Sequence, residues 1–126
     1  MNAVTSKKIL VVEDDTSLLN VLTDKLSEKG FGVMQARDGQ QGLNLALEKN
    51  PDLVLLDLRL PKLSGKDLLE TMRKNKRGKY IPVIILTNDA SPESIEDTLD
   101  KAAPAYFIKS ETSLTTIVDA VQYHLR

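Results

Sequence analysis

Four apolar runs in this chain each end in a residue able to do chemistry. Lys8-Ile9-Leu10-Val11-Val12 runs into Glu13-Asp14, and Leu53-Val54-Leu55-Leu56 runs into Asp57. Ile81-Pro82-Val83-Ile84-Ile85-Leu86 ends at Thr87, and Ala105-Tyr106-Phe107-Ile108 ends at Lys109. Three acids, one hydroxyl and one amine support a narrow chemistry. Carboxylates offering only oxygen suit a hard cation such as Mg2+, which keeps several waters and takes one or two protein carboxylates. The cation would screen Glu13, Asp14 and Asp57 from one another and leave Asp57 ionised. An ionised carboxylate can attack a phosphorus atom and form an aspartyl phosphate. The transferring phosphoryl group then needs counter-charge, from the metal, from the Lys109 ammonium and from the Thr87 hydroxyl.

Each of these residues also has a plainer reading. Asp57 could be a strand-terminating cap, Glu13-Asp14 an acidic surface turn, Thr87 a capping hydroxyl and Lys109 a lysine whose stem lies along apolar surface. What distinguishes them is that they stand at equivalent places, one after another, at strand ends. Burying an unpaired acid costs several kcal/mol, so Asp57 belongs where a strand opens to water. In open parallel sheets, ligands bind at the carboxyl ends of the strands.

The elements that must position these groups alternate regularly. Leu53 to Leu56 is too short for a helix and lacks polar alternation, so it reads as a strand buried on both faces. Asp15 is placed to cap a first helix carrying Leu18, Leu19, Leu22 and Leu26 on one face and ending at Gly30. Phe31 to Ala36 is a weaker second strand, expected at the edge with no charge at its tip. Asp38 and Gln41 form a capping-box-like start to a second helix through Gly42, Leu43, Ala46 and Leu47, which Asn50-Pro51 closes. Ser64-Gly65 turns into a third helix with Leu68, Leu69 and Met72. The basic stretch Arg73-Lys74-Asn75-Lys76-Arg77-Gly78-Lys79 then complements a helix C-terminus, with contact to an acidic partner as the second reading. Pro82 is tolerated at the start of the fourth strand. Ser91-Pro92-Glu93 is a strong helix start. The fourth helix shows a thin stripe of Ile95, Leu99 and Ala102, which makes it the least firmly anchored element. Leu114, Ile117, Val118, Val121 and Leu125 give the last helix a clean single face. Strand and helix repeat five times. Short connections of this kind force right-handed crossovers, and so a doubly wound, five-stranded parallel α/β sheet.

Composition agrees with one such domain. The chain has 126 residues, 41% hydrophobic and 28% charged, with a formal net charge of -1. That balance argues against disorder and against nucleic acid as the main partner. Without cysteine there is no disulfide framework and no thiolate nucleophile. The only histidine, His124, reads as an exposed residue near the end of the last helix, not as a general acid or base. No apolar run approaches ~18 residues and residues 1–6 read as a loose polar tail, so a cytoplasmic chain with no membrane contact is expected.

The chain resembles the receiver domain of two-component response regulators, over essentially its full length. The resemblance rests on Ile9-Leu10-Val11-Val12-Glu13-Asp14, on Leu55-Leu56-Asp57-Leu58-Arg59-Leu60-Pro61 with Gly65, on Ile85-Leu86-Thr87 and on Tyr106-Phe107-Ile108-Lys109. It implies a (βα)5 flavodoxin-like domain over residues 7–126 with strand order 2-1-3-4-5, of the stand-alone type. It implies that Asp57 accepts a phosphoryl group from a phosphohistidine of a histidine kinase or histidine phosphotransfer protein. Asp14, Asp57 and a backbone carbonyl near Arg59 would hold Mg2+, with Glu13 acting mostly through water. Thr87 would move toward the phosphate and Tyr106 would swing inward behind it, remodelling the face of the fourth helix, fifth strand and fifth helix. A monomer is expected, with that face available for a dimer. Tyr106 has a second reading as simple sheet packing; strand alternation sends Tyr106 and Phe107 to opposite faces.

Two positions depart from the family pattern. A proline, often cis, usually follows the lysine; here it is Ser110. A non-proline cis bond costs roughly 3 kcal/mol, so this loop is expected to be trans and differently shaped. The residue after the switch threonine is usually small; here it is Asn88. Asn88, with Arg59 and Asp89 at the rim, is expected to restrict the water that would hydrolyse the acyl phosphate. Arg59 and Asp89 are expected to pair across the mouth, although exposed pairs are worth only ~0–1 kcal/mol. Two other function classes stand beside the receiver. An aspartate-nucleophile phosphatase would carry a second acid two residues after Asp57, where Arg59 stands. A degenerate receiver would bind partners without phosphorylation.

Overall fold

The computed structural model describes residues 6–101 and 103–125. Five strands, β1 (Lys8–Val12), β2 (Gly32–Ala36), β3 (Leu53–Leu56), β4 (Val83–Thr87) and β5 (Ala105–Ile108), form one parallel sheet in the order β2-β1-β3-β4-β5. Five helices separate and follow them: α1 (Thr16–Glu28), α2 (Gly39–Glu48), α3 (Gly65–Lys74), α4 (Pro92–Asp100) and α5 (Leu114–His124). The expected topology and strand order are those observed. Of the expected tail, residues 1–5 lie outside the described residues.

The register fixes where the chemistry stands. Val12 pairs with Leu56, Leu56 with Ile85 and Thr87 with Ile108, so β1, β3, β4 and β5 finish nearly level. Both faces of the sheet are covered. Leu10, Val12, Val54, Leu56 and Ile85 face one core with Ala46, Leu68, Leu69 and Met72 of α2 and α3. Ile9, Val11, Leu53, Leu55 and Ile84 face the other, with Leu19, Leu22 and Leu26 of α1 and Ile117, Val118 and Val121 of α5. Each such Val, Leu, Ile or Met side chain contributes about 1.5–3 kcal/mol by leaving water. Tyr106 packs on the first core and Phe107 on the second, as strand alternation requires.

The helix starts follow their caps. Asp15 accepts from Ser17 N at 3.0 Å and Leu18 N at 3.2 Å, and Ser64 Oγ accepts from Asp67 N at 3.1 Å. Asp38 accepts from Gln41 N at 2.7 Å, while Gln41 reaches back to Arg37 N, one residue before the cap. Gly30 closes α1 in the left-handed region, at φ +92°, where a side chain would be strained. β4 begins at Val83, two residues later than the apolar run suggests, because Pro82 has no N–H to give and serves only through its carbonyl, to Val54 N at 2.9 Å.

Three expectations need correction or completion. The buried face of α4 also carries hydroxyls: Ser94 and Thr98 are buried and Ile95 is only half-buried, while the Leu99 side chain and Ala102 of the expected stripe lie outside the described residues. Thr98 Oγ1 returns to the carbonyls of Ser94 at 2.9 Å and Ile95 at 3.1 Å, so the buried hydroxyl is satisfied within the helix. His124 is half-buried rather than exposed, with its ring edge-on to Tyr123 at 5.1 Å. Arg73 does more than complement a helix dipole. Its guanidinium donates to the carbonyls of Gly78 at 2.9 Å, Ile81 at 2.8 Å and Lys101 at 2.9 Å, tying the α3–β4 loop to the end of α4. Burial lowers its pKa, and the carbonyl set satisfies the charge.

Candidate functional site

Asp57 stands immediately after β3, where the apolar run stops and the sheet opens. Its backbone is held by Val12, whose carbonyl accepts from Asp57 N at 3.1 Å, so β1 and β3 carry their acids side by side. Gly65 makes room from the other direction. A Cβ on Gly65 would lie 2.2 Å from the Asp57 carbonyl oxygen and 2.6 Å from Leu58 Cα, so the first turn of α3 can rest on the strand end only as glycine. The Asp57 carboxylate is 5% exposed. Its Oδ1 accepts from Arg59 N at 3.1 Å and its Oδ2 from Lys109 Nζ at 2.7 Å.

Lys109 joins the acids. Its Nζ also lies 2.7 Å from Glu13 Oε1, so one ammonium bridges two buried carboxylates. Burial is the largest single influence on this lysine and pushes its pKa down, but the bonds to Asp57 and Glu13 together outweigh it and hold the ammonium above its ordinary value. Glu13 is raised, chiefly by burial and further by the Asp57 charge, against the opposing bonds from Lys109 and from Asp15 N at 3.0 Å. Asp14 remains exposed at the mouth. Glu13, Asp14 and Asp57 each offer a carboxylate oxygen, all within 4.8 Å of one another. Such an all-oxygen donor set, open to water on the Asp14 side, fits a hard divalent cation.

The fourth strand end brings its hydroxyl, but no bond from it to Asp57 is made among the described residues. Thr87 is fully buried, and its Oγ1 accepts from Asp89 N at 3.3 Å, within its own loop. Tyr106 donates its hydroxyl to the Asp89 carbonyl. Burial, with the Asp89 charge, pushes that phenol up to about 12. Asn88, the next residue on from Thr87, accepts from Ser110 N at 3.1 Å through Oδ1.

The expected pairing of Arg59 with Asp89 is not made among the described residues. Asp89 is occupied elsewhere: Oδ2 accepts from Ser94 Oγ at 2.6 Å, and Oδ1 from Ser91 N at 3.0 Å and Ser91 Oγ at 2.8 Å. These bonds, that of Ser94 foremost, hold the Asp89 carboxyl down at about 2, while Arg59 acts only at a distance. Ser91, and Ser94 in the first turn of α4, thus fasten the loop that follows Thr87. The Asp-x-Ser-x-x-Ser spacing was their signal, since a carboxylate just before a helix can take both hydroxyls. Ser110 is the other residue sequence reasoning undervalued: what it contributes is a backbone N–H. The loop it opens is a short 3-10 turn, Lys109–Glu111, and among the described residues every peptide bond is trans.

Comparison with known proteins agrees with this arrangement. Residues 9–122 match the model of the response regulator receiver domain. Over 102 residues, 81% of this chain, it is 34% identical to the DNA-binding dual master transcriptional regulator RpaA of Synechocystis sp., of whose length the match spans 42%. It is 28% identical to the polar-differentiation response regulator DivK of Brucella ovis over 95% of this chain and 97% of that one. A CheY-like response regulator receiver domain protein from Methanospirillum hungatei superposes with a TM-score of 0.88 at 30% identity, over 96% of this chain and 94% of that one. No helix among the described residues is long and apolar enough to cross a membrane. Sheet order, strand-end acids and these likenesses lead to one assignment: the chain belongs to the family of response regulator receiver domains.

Proposed function

We propose that this receiver is a phospho-accepting switch, with Asp57 as the acceptor. The observation that carries the reading is the pair of bonds on the Asp57 carboxylate, Oδ1 to Arg59 N and Oδ2 to Lys109 Nζ, at a strand end flanked by two further acids. In the transfer, an Asp57 oxygen attacks the phosphorus of a phosphohistidine on a histidine kinase or histidine phosphotransfer protein. The new P–O bond forms as the P–N bond breaks, and the imidazole leaves with its electron pair. Lys109 supplies positive charge to the oxygens around phosphorus. Thr87, whose hydroxyl accepts from Asp89 N and keeps its own proton, moves to donate it to another.

Glu13, Asp14, Asp57 and the Arg59 carbonyl are the groups that would hold Mg2+. When bound, the cation neutralises charge on the phosphoryl oxygens and lets these acids remain ionised together. Thr87 and Tyr106 are the switch pair, since both attach to the loop 87–89 from different strands. Their movement would be read on the α4-β5-α5 face by a partner protein, or by a second copy of the chain. Arg59, Asn88 and Asp89 at the rim would set how long the acyl phosphate survives. Beyond promoting its own phosphorylation and dephosphorylation the domain transforms no substrate in this reading, and it works in the cytoplasm, over residues 7–126.

The test is intact-mass measurement after incubation with Mg2+ and acetyl phosphate, beside Asp57→Asn. A single hydroxylamine-labile phosphoryl adduct is expected, lost in Asp57→Asn and without metal. Absence of both the adduct and Mg2+ binding would overturn the reading in favour of a phosphorylation-independent binding module.

A further inference from the structure

The Asn88–Ser110 bond lies between the two residues that follow Thr87 and Lys109. Thr87 and Ile108 form the last rung of the β4–β5 ladder. One step beyond, the Asn88 side chain replaces a backbone carbonyl and takes the Ser110 N–H at 3.1 Å. It is a rung built from a side chain. It needs an acceptor at position 88 and an N–H at position 110, so a proline at 110 could not make it.

The rung holds a particular arrangement of the loop. With Asn88 fixed to Ser110, the adjoining Thr87 hydroxyl accepts from Asp89 N and the Asp89 carbonyl accepts from Tyr106. Lys109 is already seated on Asp57, whereas Thr87 is not. The Thr87 hydroxyl only accepts from Asp89 N and keeps its own proton to give, but to reach an oxygen carried by Asp57 the segment 87–89 must move. The bond that holds its middle residue to Ser110 resists that shift. A bond present in one arrangement and lost in the other biases the population toward the first.

We propose that the Asn88–Ser110 bond is a latch that holds the Thr87 loop in its unphosphorylated arrangement and so slows phosphoryl uptake. Asn88 is thereby a positioning residue, acting on Thr87 and Lys109 through backbone. The proposal rests on Asp57 being the phosphoryl acceptor. It separates from a simpler idea, that the bulk of Asn88 screens the mouth.

Asn88→Ala and Asn88→Leu test it together, because leucine keeps the bulk of asparagine and loses the acceptor. Two readouts are taken: the rate of phosphoryl uptake from acetyl phosphate with Mg2+, and hydrogen exchange of the Ser110 amide in the unphosphorylated protein. Both variants are expected to speed uptake by about two- to fivefold, the worth of one exposed hydrogen bond, and to speed Ser110 exchange. In the wild type the Ser110 amide should lose protection on phosphorylation. A slow leucine variant beside a fast alanine variant would overturn the latch in favour of screening. Unchanged uptake in both would overturn it outright. A wild type that accepts no phosphoryl group would remove the phospho-accepting reading and the latch with it, while Ser110 exchange would still show whether the bond exists.

Discussion

Lys109 Nζ stands 2.7 Å from Asp57 Oδ2 and 2.7 Å from Glu13 Oε1, one cation shared between two buried carboxylates from different strands. The arrangement is self-consistent only while the ammonium is present. Burial already pushes the Glu13 carboxyl up, and the nearby Asp57 charge adds to it. A bound cation would enter a site whose charge is already partly balanced, and Lys109 would turn to whatever new oxygens Asp57 carries.

Removing that ammonium should therefore expose the repulsion it balances. Lys109→Met is expected to lower stability by about 2 kcal/mol near pH 7, less than the ~3–5 kcal/mol of a fully buried broken pair because the mouth is open to water. The sign with pH follows from Glu13. Its folded pKa lies above the unfolded value, so the folded state holds a proton that the unfolded state loses as pH rises. The deficit of the variant should shrink as pH falls from 7 toward the carboxylate range, where Glu13 takes up its proton. Urea denaturation of both proteins across that interval checks it; a deficit that is flat with pH would mean that lost packing of the lysine stem is the cause.

Gly65 carries the next expectation. Gly65→Ala would put a methyl group against the Asp57 carbonyl and Leu58 Cα, both backbone, so neither can yield by rotating a side chain. The strand end or α3 must move. A loss of about 2 kcal/mol is expected, as for overpacked cores, together with slower phosphoryl uptake because Asp57 is displaced. Denaturant midpoints read the first and intact mass after acetyl phosphate treatment reads the second. A variant slowed in uptake at undiminished stability would show the displacement to be local.

Most of this candidate site was legible in the sequence because each candidate residue ends an apolar strand run, and a parallel sheet leaves those ends level. Asp57, Glu13, Asp14 and Lys109 converge for that reason alone. What the sequence concealed lies in the loops. Nothing in Ser110 itself announces that its backbone N–H will meet Asn88, since that contact depends on the β4–β5 register. The Arg59–Asp89 pair looked attractive by charge. Two serine hydroxyls and one amide close in sequence took Asp89 instead, since local hydrogen bonds order fewer residues than a pair across a cleft. The buried hydroxyls of α4 were hidden for the same reason: Ser94 turns inward to reach Asp89, and apolar periodicity cannot register a hydroxyl bond.

Asp89 accordingly predicts a pH dependence of its own. Its carboxyl is held at about 2 in the folded protein by the Ser94 hydroxyl and by the amide and hydroxyl of Ser91, against about 3.9 in an unfolded chain. A folded pKa below the unfolded one contributes stability that is present in full above about pH 4 and is lost as pH falls toward 2. Asp89→Asn keeps one acceptor oxygen but not the charge, so the three donors can no longer all be satisfied. At pH 7 it should be less stable by about 1 kcal/mol, discounted from a fully buried charged bond because the loop is partly open to solvent. The gap between wild type and variant should then narrow as pH falls from about 4 to 2. Thermal midpoints over that range measure it. A gap unchanged at pH 2 would mean that the hydroxyls of Ser91 and Ser94 do not discriminate between carboxylate and amide. α4 would then be fastened by shape rather than by the charge on the residue two positions after Thr87.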